Sequence, residues 1–233
     1  MSDTVQSLNC HNCGAINLPY KTAISAPAMT VPFCNGDINM MAVCQYVRCP
    51  VCGLVTQSPR MSDERIDHYY ASGLYRQTLG MTQADMDADE LKRAMDITKY
   101  VIGKRIIVKS HVDIGSSRGY LLKALAADVQ QGYDKNPKYG KMETDKSRLG
   151  KYELLTSIHV LEHVTEPLKD LEWYRSLCNE MILEVPGENC KGGPLRFAHL
   201  YYFPPDTLVK MIERAGFTVV DMTTNPNTRI YAR

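Results

Sequence analysis

The sequence has no excess of either charge: 27 lysines and arginines face 26 aspartates and glutamates, for a formal net charge of +1. Such balance gives no overall electrostatic footprint for nucleic acid or an anionic membrane, although a local basic patch is compatible with it. No run approaches the roughly 20 apolar residues needed to cross a bilayer. The opening MSDTVQSLN has neither the basic start nor the apolar centre of a secretory signal. The expectation is a cytoplasmic protein with no membrane partner. Without a signal peptide, the eight cysteines do not read as a disulfide scaffold, and a metal site better explains the clustered ones. The 233 residues, 44% hydrophobic and 23% charged, leave room for one main core and one small module.

Cys10-His-Asn-Cys13-Gly and Cys49-Pro-Val-Cys52-Gly are two C-x-x-C knuckles. Each directs two thiolates toward one tetrahedral ion, and the glycine after the second cysteine permits a left-handed turn. Four cysteines, Cys10, Cys13, Cys49 and Cys52, therefore predict one structural Zn2+ site. Cys34 or Cys44 in the intervening stretch is open as a swapped ligand. A redox C-x-x-C normally comes once, near a βαβ pattern, which is not found here. Four protein ligands leave no open position, so this metal is expected to fold its segment and not to catalyse.

The segment HVDIGSSRG, His111 to Gly119, runs into YLLKALAA, Tyr120 to Ala127. An apolar strand closing on Asp113, a tight turn through Gly115 and Gly119, and an amphipathic helix describe the first β-turn-α unit of a nucleotide-binding sheet. Both glycines lack the Cβ that would crowd a ligand on the turn. The next apolar stretch, Val129–Tyr133, ends in Asp134, placed to accept hydrogen bonds from two ribose hydroxyls. Only residues 135–141 then precede the next candidate strand, too few for a crossover helix, which is missing or reduced to a turn. Asp145 beyond it either meets the adenine amino group or is a solvated charge. Further strands are expected at Ile106–Ile114, Tyr152–Ile158, Met181–Val185, from Phe217, and antiparallel over Asn227–Ala232. Helices are expected over Asp85–Ile102, with Leu91, Met95, Thr98 and Ile102 on one face, and over Leu168–Leu177 and Pro205–Ala215.

The pattern Asp-x-Gly-x-x-x-Gly resembles the first motif of class I methyltransferases that use S-adenosylmethionine, with Ser117 where that family usually has its middle glycine. His159-Val-Leu-Glu162-His163-Val164, followed by Pro167 at the end of an apolar strand, resembles a second motif of the same class. The junction CPVCGLVTQSPRMSDERIDHYYASGLYRQ, with Gly53, Leu54, Val55, Gln57, Tyr69, Tyr70 and Tyr75, is similar to that of the sugar C-methyltransferases. RFAHLYYFPPDTLVKMIERAGFTVVDM resembles their end region, and their larger C-terminal region is expected to be absent. The three tyrosines either close over a ligand or pack the linker onto the main domain.

The resemblance implies an α/β fold: a Rossmann-like seven-stranded methyltransferase sheet over 105–233, a helical linker or lid over 61–104, and a zinc-ribbon-like module over 1–60. It implies S-adenosylmethionine held by Asp113, Gly115, Ser117, Gly119, Asp134 and His159. His163 is the first candidate for the base that takes the acceptor's proton, with His159 and His199 next and Tyr70 beside them. The other reading of His163 is that it only caps its helix and lines the pocket. Glu162 either orients the imidazole or binds substrate; on a helix it would not face its neighbour His163. The implied acceptor is a small molecule, by resemblance a sugar nucleotide or glycan precursor. The competing reading is a non-catalytic scaffold that docks a partner through its zinc module. Nucleic-acid methylation is disfavoured by neutral charge and by the missing Asn/Asp-Pro-Pro-aromatic motif, and an NAD oxidoreductase by the missing third glycine of its turn.

Overall fold

The computed structural model describes residues 4–5, 9–15, 23–25, 29–32, 39–42, 45–58, 60–71, 82–135, 142–196 and 198–233. Cys34, Cys44 and Tyr75 lie outside the described residues. In chain order the strands are β1 (Thr4–Val5), β2 (Ala23–Ser25), β3 (Met29–Pro32), β4 (Asn39–Ala42), β5 (Gln45–Arg48), β6 (Val55–Gln57) and β7 (Arg60–Met61), followed by β8 (Ser110–Ile114), β9 (Val129–Tyr133), β10 (Tyr152–Ile158), β11 (Cys178–Val185), β12 (Tyr201–Tyr202), β13 (Val219–Thr223) and β14 (Thr228–Ala232). The helices are α1 (Asp63–Ala71), α2 (Gln83–Gly103), α3 (Tyr120–Leu125), α4 (Pro167–Leu177) and α5 (Pro205–Arg214).

The central sheet has the order β13-β14-β11-β10-β8-β9. Its four strands β9, β8, β10 and β11 run parallel, and β14 enters antiparallel between β11 and β13. Among the described residues this sheet has six strands, not seven. The strand expected after residues 135–141 shrinks to one parallel bridge between Tyr133 and Glu143. Asp145 then turns the chain into a short 3-10 helix, its carboxylate accepting from the Ser147 amide at 2.9 Å. A carboxylate engaged in that way is a local cap.

Alternation along the strands assigns the two faces of the sheet. Leu154, Ile182 and Tyr231 face Ala94, Ile97, Val101 and Leu121, which belong to α2 and α3. Leu155, Met181, Leu183 and Ile230 face the opposite layer, with Leu171, Tyr174 and Leu177 of α4 and Leu208, Met211 and Ile212 of α5. His111 and Asp113 of β8 share the parity that points toward α2, so two ionisable groups sit where an apolar pair would be ordinary.

Helix α2 begins with a capping box, in which the Thr82 hydroxyl accepts from the Asp85 amide and the Asp85 carboxylate accepts from the Thr82 amide. Its inner face corrects the expected one. Ala94, Ile97 and Val101 are buried, whereas Leu91, Met95 and Ile102 are 46%, 51% and 69% exposed. The side toward the sheet combines small and β-branched residues that fit the groove over α3 and β10, and the bulkier stripe is left outside.

The N-terminal segment is stitched into the same body. Strand β6 pairs antiparallel with both β5 and β12, in a four-stranded sheet of order β12-β6-β5-β2. The Thr207 hydroxyl donates to the Cys52 carbonyl at 2.6 Å, and Arg214 donates to the Asn12 side chain at 3.2 Å. Cys10, Cys49, Leu54 and Val55 thereby join the main core. No helix among the described residues is long and apolar enough to cross a membrane.

Candidate active site

A cleft of about 1130 Å³ opens at the carboxyl ends of the parallel strands, where ligands bind in open α/β sheets. Gly115 lies on its floor with a φ of +72°, and a Cβ built there would stand 2.3 Å from Val160 Cγ2. The glycine is thus required by the chain's own packing against Val160 as well as by the conformation. Ser117, at the third position of the turn, also adopts a left-handed φ of 47°. Its amide donates to Asp134 Oδ2 at 2.9 Å and its hydroxyl donates to Glu90 Oε1 at 3.1 Å. The acid at the tip of β9, the glycine turn and α2 are therefore tied together around one floor. Gly119, with φ +71°, is the N-cap of α3.

Asp113 is buried and accepts the Thr156 hydroxyl at 2.6 Å. Burial raises its pKa to about 7, against the Thr156 bond and with help from the charges of Asp134 and Glu90. Asp113, Gly115, Ser117, Asp134 and His159 all line the cleft, as does Arg93 from α2. Arg93 carries no motif in the sequence. It has no hydrogen-bonding or ionic partner among the described residues, and it lies near enough to His159 to oppose protonation of that ring.

Next to this floor the other candidates converge. Leu161–His163 form a single 3-10 turn, not an α-helix, and Glu162 Oε1 lies 3.6 Å from His163 Nε2. The expectation that neighbours would not face each other is corrected by this contact: adjacent residues still project about 120° apart in such a turn, and it is the tips of the two long side chains that meet. His163 Nδ1 lies 2.8 Å from the Ala198 carbonyl and 2.7 Å from the Tyr70 hydroxyl. A carbonyl brings no hydrogen, so the bond to Ala198 places the proton on Nδ1. The His199 ring packs edge-on against that of His163 at 4.9 Å, and its own Nδ1 is 2.7 Å from the Pro194 carbonyl. Tyr70, Glu162, His163 and His199 thus come from α1, the 3-10 turn and the segment before β12 to one place.

His159 has a different setting. It adopts φ 56°, rare for a residue with a side chain, and its two ring nitrogens lie 3.3 Å from Glu162 and 3.2 Å from Glu184. Burial alone would lower its pKa, but the bonds to Glu162 and Glu184 outweigh burial and hold it above the ordinary value. Burial likewise works to raise Glu184, yet His159 and Arg229 bring it down to about 2. Glu184 also accepts from Asn227 at 2.9 Å and from Arg229 at 2.7 Å, and Arg229 reaches Asp96 of α2 at 2.6 Å. A continuous ionic chain, exposed at its Asp96 end and buried at Glu184 and Glu162, therefore joins α2 to the 3-10 turn. Glu184, Asn227 and Arg229 were not legible as site residues, because only the parallel register of β10 and β11 and the hairpin of β13 and β14 bring them beside His159. For Glu162, burial pushes the pKa up, but the three histidines around it overcome that and hold it at about 2. Burial, then the charge of His163, takes His199 down to about 4.

The two knuckles form a separate cluster. Gly14 and Gly53 take the expected left-handed φ of 69° and 81°. Cys10 Sγ lies 3.4 Å from Cys52 Sγ and Cys13 Sγ 3.7 Å from Cys49 Sγ, and all four sulfurs are within 4.8 Å of one another. Thiolates on a tetrahedral zinc with bonds of about 2.3 Å stand about 3.8 Å apart, so the donors present fit the ion. They are too far apart for disulfides.

Comparison with known proteins bears on the fold and the family. Residues 86–222 match the family described as "Methyltransferase domain". None of the curated proteins matches the sequence. Among solved structures, the magnesium protoporphyrin IX methyltransferase of Synechocystis PCC 6803 with bound SAH is similar at 16% identity and a TM-score of 0.55, over 73% of this chain and 99% of that one. The 1,6-didemethyltoxoflavin-N1-methyltransferase of Burkholderia thailandensis, with bound 1,6-didemethyltoxoflavin and S-adenosylhomocysteine, is similar at 15% identity and a TM-score of 0.56, over 82% and 96%. The mitomycin 7-O-methyltransferase MmcR is similar at 14% identity and a TM-score of 0.51, over 74% and 60%. At such identities the likeness is one of fold. With more than half of its length matching the family, the chain belongs to the methyltransferase-domain family and is an S-adenosylmethionine-dependent methyltransferase.

Proposed function

We propose that the protein transfers the methyl group of S-adenosylmethionine to a small-molecule acceptor bound beside His163. The observation that carries this reading is the convergence of Tyr70, Glu162, His163 and His199 next to the glycine turn and Asp134. The cofactor rests on Gly115, Ser117 and Gly119, with Asp134 on the ribose, and Arg93 is the cleft cation suited to the methionine carboxylate. Two of the similar enzymes are named for small molecules, magnesium protoporphyrin IX and 1,6-didemethyltoxoflavin, which supports an acceptor of that class here. The rim carries Asp63, Asp67, Lys135, Glu166 and Lys169, a polar surface suited to a hydroxylated acceptor such as a sugar nucleotide or glycan precursor.

The chemistry asks little of the protein beyond placement and one proton transfer. The acceptor's lone pair attacks the methyl carbon, and the carbon-sulfur pair returns to sulfur, leaving S-adenosylhomocysteine. The acceptor's proton passes to His163 Nε2, since Nδ1 already carries its hydrogen. Tyr70 and the Ala198 carbonyl fix the ring for that step, and the negative Glu162 stabilises the imidazolium. The four-cysteine cluster holds one structural zinc for the module at 1–60, with 61–104 as the linker and lid to the catalytic body at 105–233.

Calorimetry with S-adenosylmethionine, S-adenosylhomocysteine and NAD tests the cofactor assignment. The first two should bind and NAD should not, and the reverse would overturn it. Formation of S-adenosylhomocysteine across a panel of sugar nucleotides and other hydroxylated small molecules then tests the acceptor class.

A further inference from the structure

We propose that Glu162, His163 and His199 form a second metal site, separate from the four cysteines, for a divalent first-row cation. One nitrogen of each histidine and one carboxylate oxygen of Glu162 lie within 4.8 Å of one another. Both histidines are oriented from behind, as ligating histidines usually are, by a hydrogen bond from the other ring nitrogen to a backbone carbonyl. Those bonds are His163 Nδ1 to Ala198 at 2.8 Å and His199 Nδ1 to Pro194 at 2.7 Å. With Nδ1 engaged in each ring, Nε2 is the nitrogen that each offers.

A second, independent observation points to a ligand. Glu162 is 1% exposed, and its Oε2 has no hydrogen-bond partner. An ionised carboxylate oxygen left alone in a protein interior is costly, and a bound cation is the partner that would satisfy it. Two neutral imidazoles and one carboxylate suit Zn2+, Fe2+ or Mn2+, and three protein ligands leave a coordination position open. His163 lines the cleft, so that position is reached from the acceptor's side.

The inference rests on the cluster being where the acceptor is activated, but not on which atom takes the proton. An oxygen acceptor bound to the cation would lose its proton to solvent and attack the methyl group as the metal-bound alkoxide, with the carbon-sulfur pair again returning to sulfur. Proton and cation compete for the same nitrogen, His163 Nε2. The occupied and empty sites therefore activate the acceptor in alternative ways.

The test uses the full chain with its cysteines already zinc-loaded, because thiolates disfavour Mn2+. Mn2+ is titrated in and the free ion is followed by electron paramagnetic resonance, with Zn2+ as competitor. One Mn2+ per chain is expected, displaced by Zn2+, and at least tenfold weaker in His199→Asn and in His163→Asn. Asparagine keeps a donor near Nδ1 for the carbonyl but has nothing at Nε2, and thermal melts establish that the variants are folded. The site is overturned by absence of Mn2+ binding together with no zinc beyond the first, or by full binding in both variants. Affinity for S-adenosylmethionine, measured on the same samples, tests the enzyme reading separately. Cofactor binding without a cation sinks the metal site alone.

Discussion

The Thr156 hydroxyl donates to Asp113 at 2.6 Å, and the same oxygen lies 2.8 Å from His111 Nε2. One side chain on β10 thus bonds two buried ionisable groups on β8, directly beneath the glycine turn. Because Thr156 has only one hydrogen and gives it to the carboxylate, the proton of the second bond comes from His111 Nε2. The His111 Nδ1 is then left as a buried acceptor without a partner.

Thr156→Val keeps the shape and removes both bonds. It should destabilise the fold by about 1–3 kcal/mol, the usual cost of stranding buried polar groups. Urea unfolding of the variant reads this directly. A change below about 0.5 kcal/mol would mean that the bridge contributes nothing.

The same pair sets a pH dependence. Burial lowers His111 from 6.5 to about 4, so its contribution to stability is complete above 6.5 and is lost as the pH falls toward 4. Asp113 is raised from 3.8 to about 7, so its contribution is complete below 3.8 and is lost as the pH rises through 7. The two slopes oppose each other between them. Asp113→Asn removes one slope and leaves the other, so the variant should lose stability on acidification more steeply than the wild type, by up to about 1.4 kcal/mol per pH unit. Urea unfolding at three pH values across the window checks this, and parallel curves would refute it.

Asp134→Ala should weaken S-adenosylmethionine binding by about 1.5–3 kcal/mol, the range for hydrogen bonds to a charged group. Part of that loss arises before the cofactor arrives, because Asp134 also holds the Ser117 amide. Calorimetry with the variant should therefore show weaker binding with the fold retained. An unchanged affinity would place the ribose elsewhere.

His163→Gln retains a polar side chain but no base. Affinity for S-adenosylmethionine should be nearly unchanged, while turnover with the authentic acceptor falls by about a hundredfold or more. A fully active variant would remove His163 from both the proton step and the cation site.

Metal analysis of protein purified without chelator should give at least one zinc per chain, and the first equivalent should be lost when Cys10 and Cys13 are replaced by serine. Withdrawing it should free the Gln57 amide, which donates to the Leu200 carbonyl at 2.8 Å across the strand shared with the catalytic body. Hydrogen exchange at Gln57 reads that coupling. Undiminished protection after zinc removal would show that the strand stands without the metal.

Much of the architecture was legible because it depends on local patterns. Val129–Tyr133 and Tyr152–Ile158 fall where alternation and flanking turns put them. The knuckle glycines take the φ that their positions demanded. The inner face of α2 is ambiguous in the sequence because both Leu91-Met95-Ile102 and Ala94-Ile97-Val101 obey the helical period. Only the shape of the sheet chooses between them. Glu162 and His163 meet at the tips of their side chains although they are neighbours, and helical spacing alone gives no signal of such a contact. Arg93, Glu184 and Arg229 carry no local signal for a further reason: each acquires its surroundings from strands or helices far away in the chain.

Strand β6 carries a consequence for biosynthesis. Its outer edge pairs with Tyr201 and Tyr202, so from the time Gln57 leaves the ribosome until Tyr201 follows, that edge lacks its native neighbour. At about 5–20 residues per second the wait is roughly seven to thirty seconds. During that interval the nascent segment exposes an open strand edge of the kind that recruits foreign chains. The last third of the polypeptide therefore has a protective task in addition to its catalytic one: it closes the sheet that the first third began.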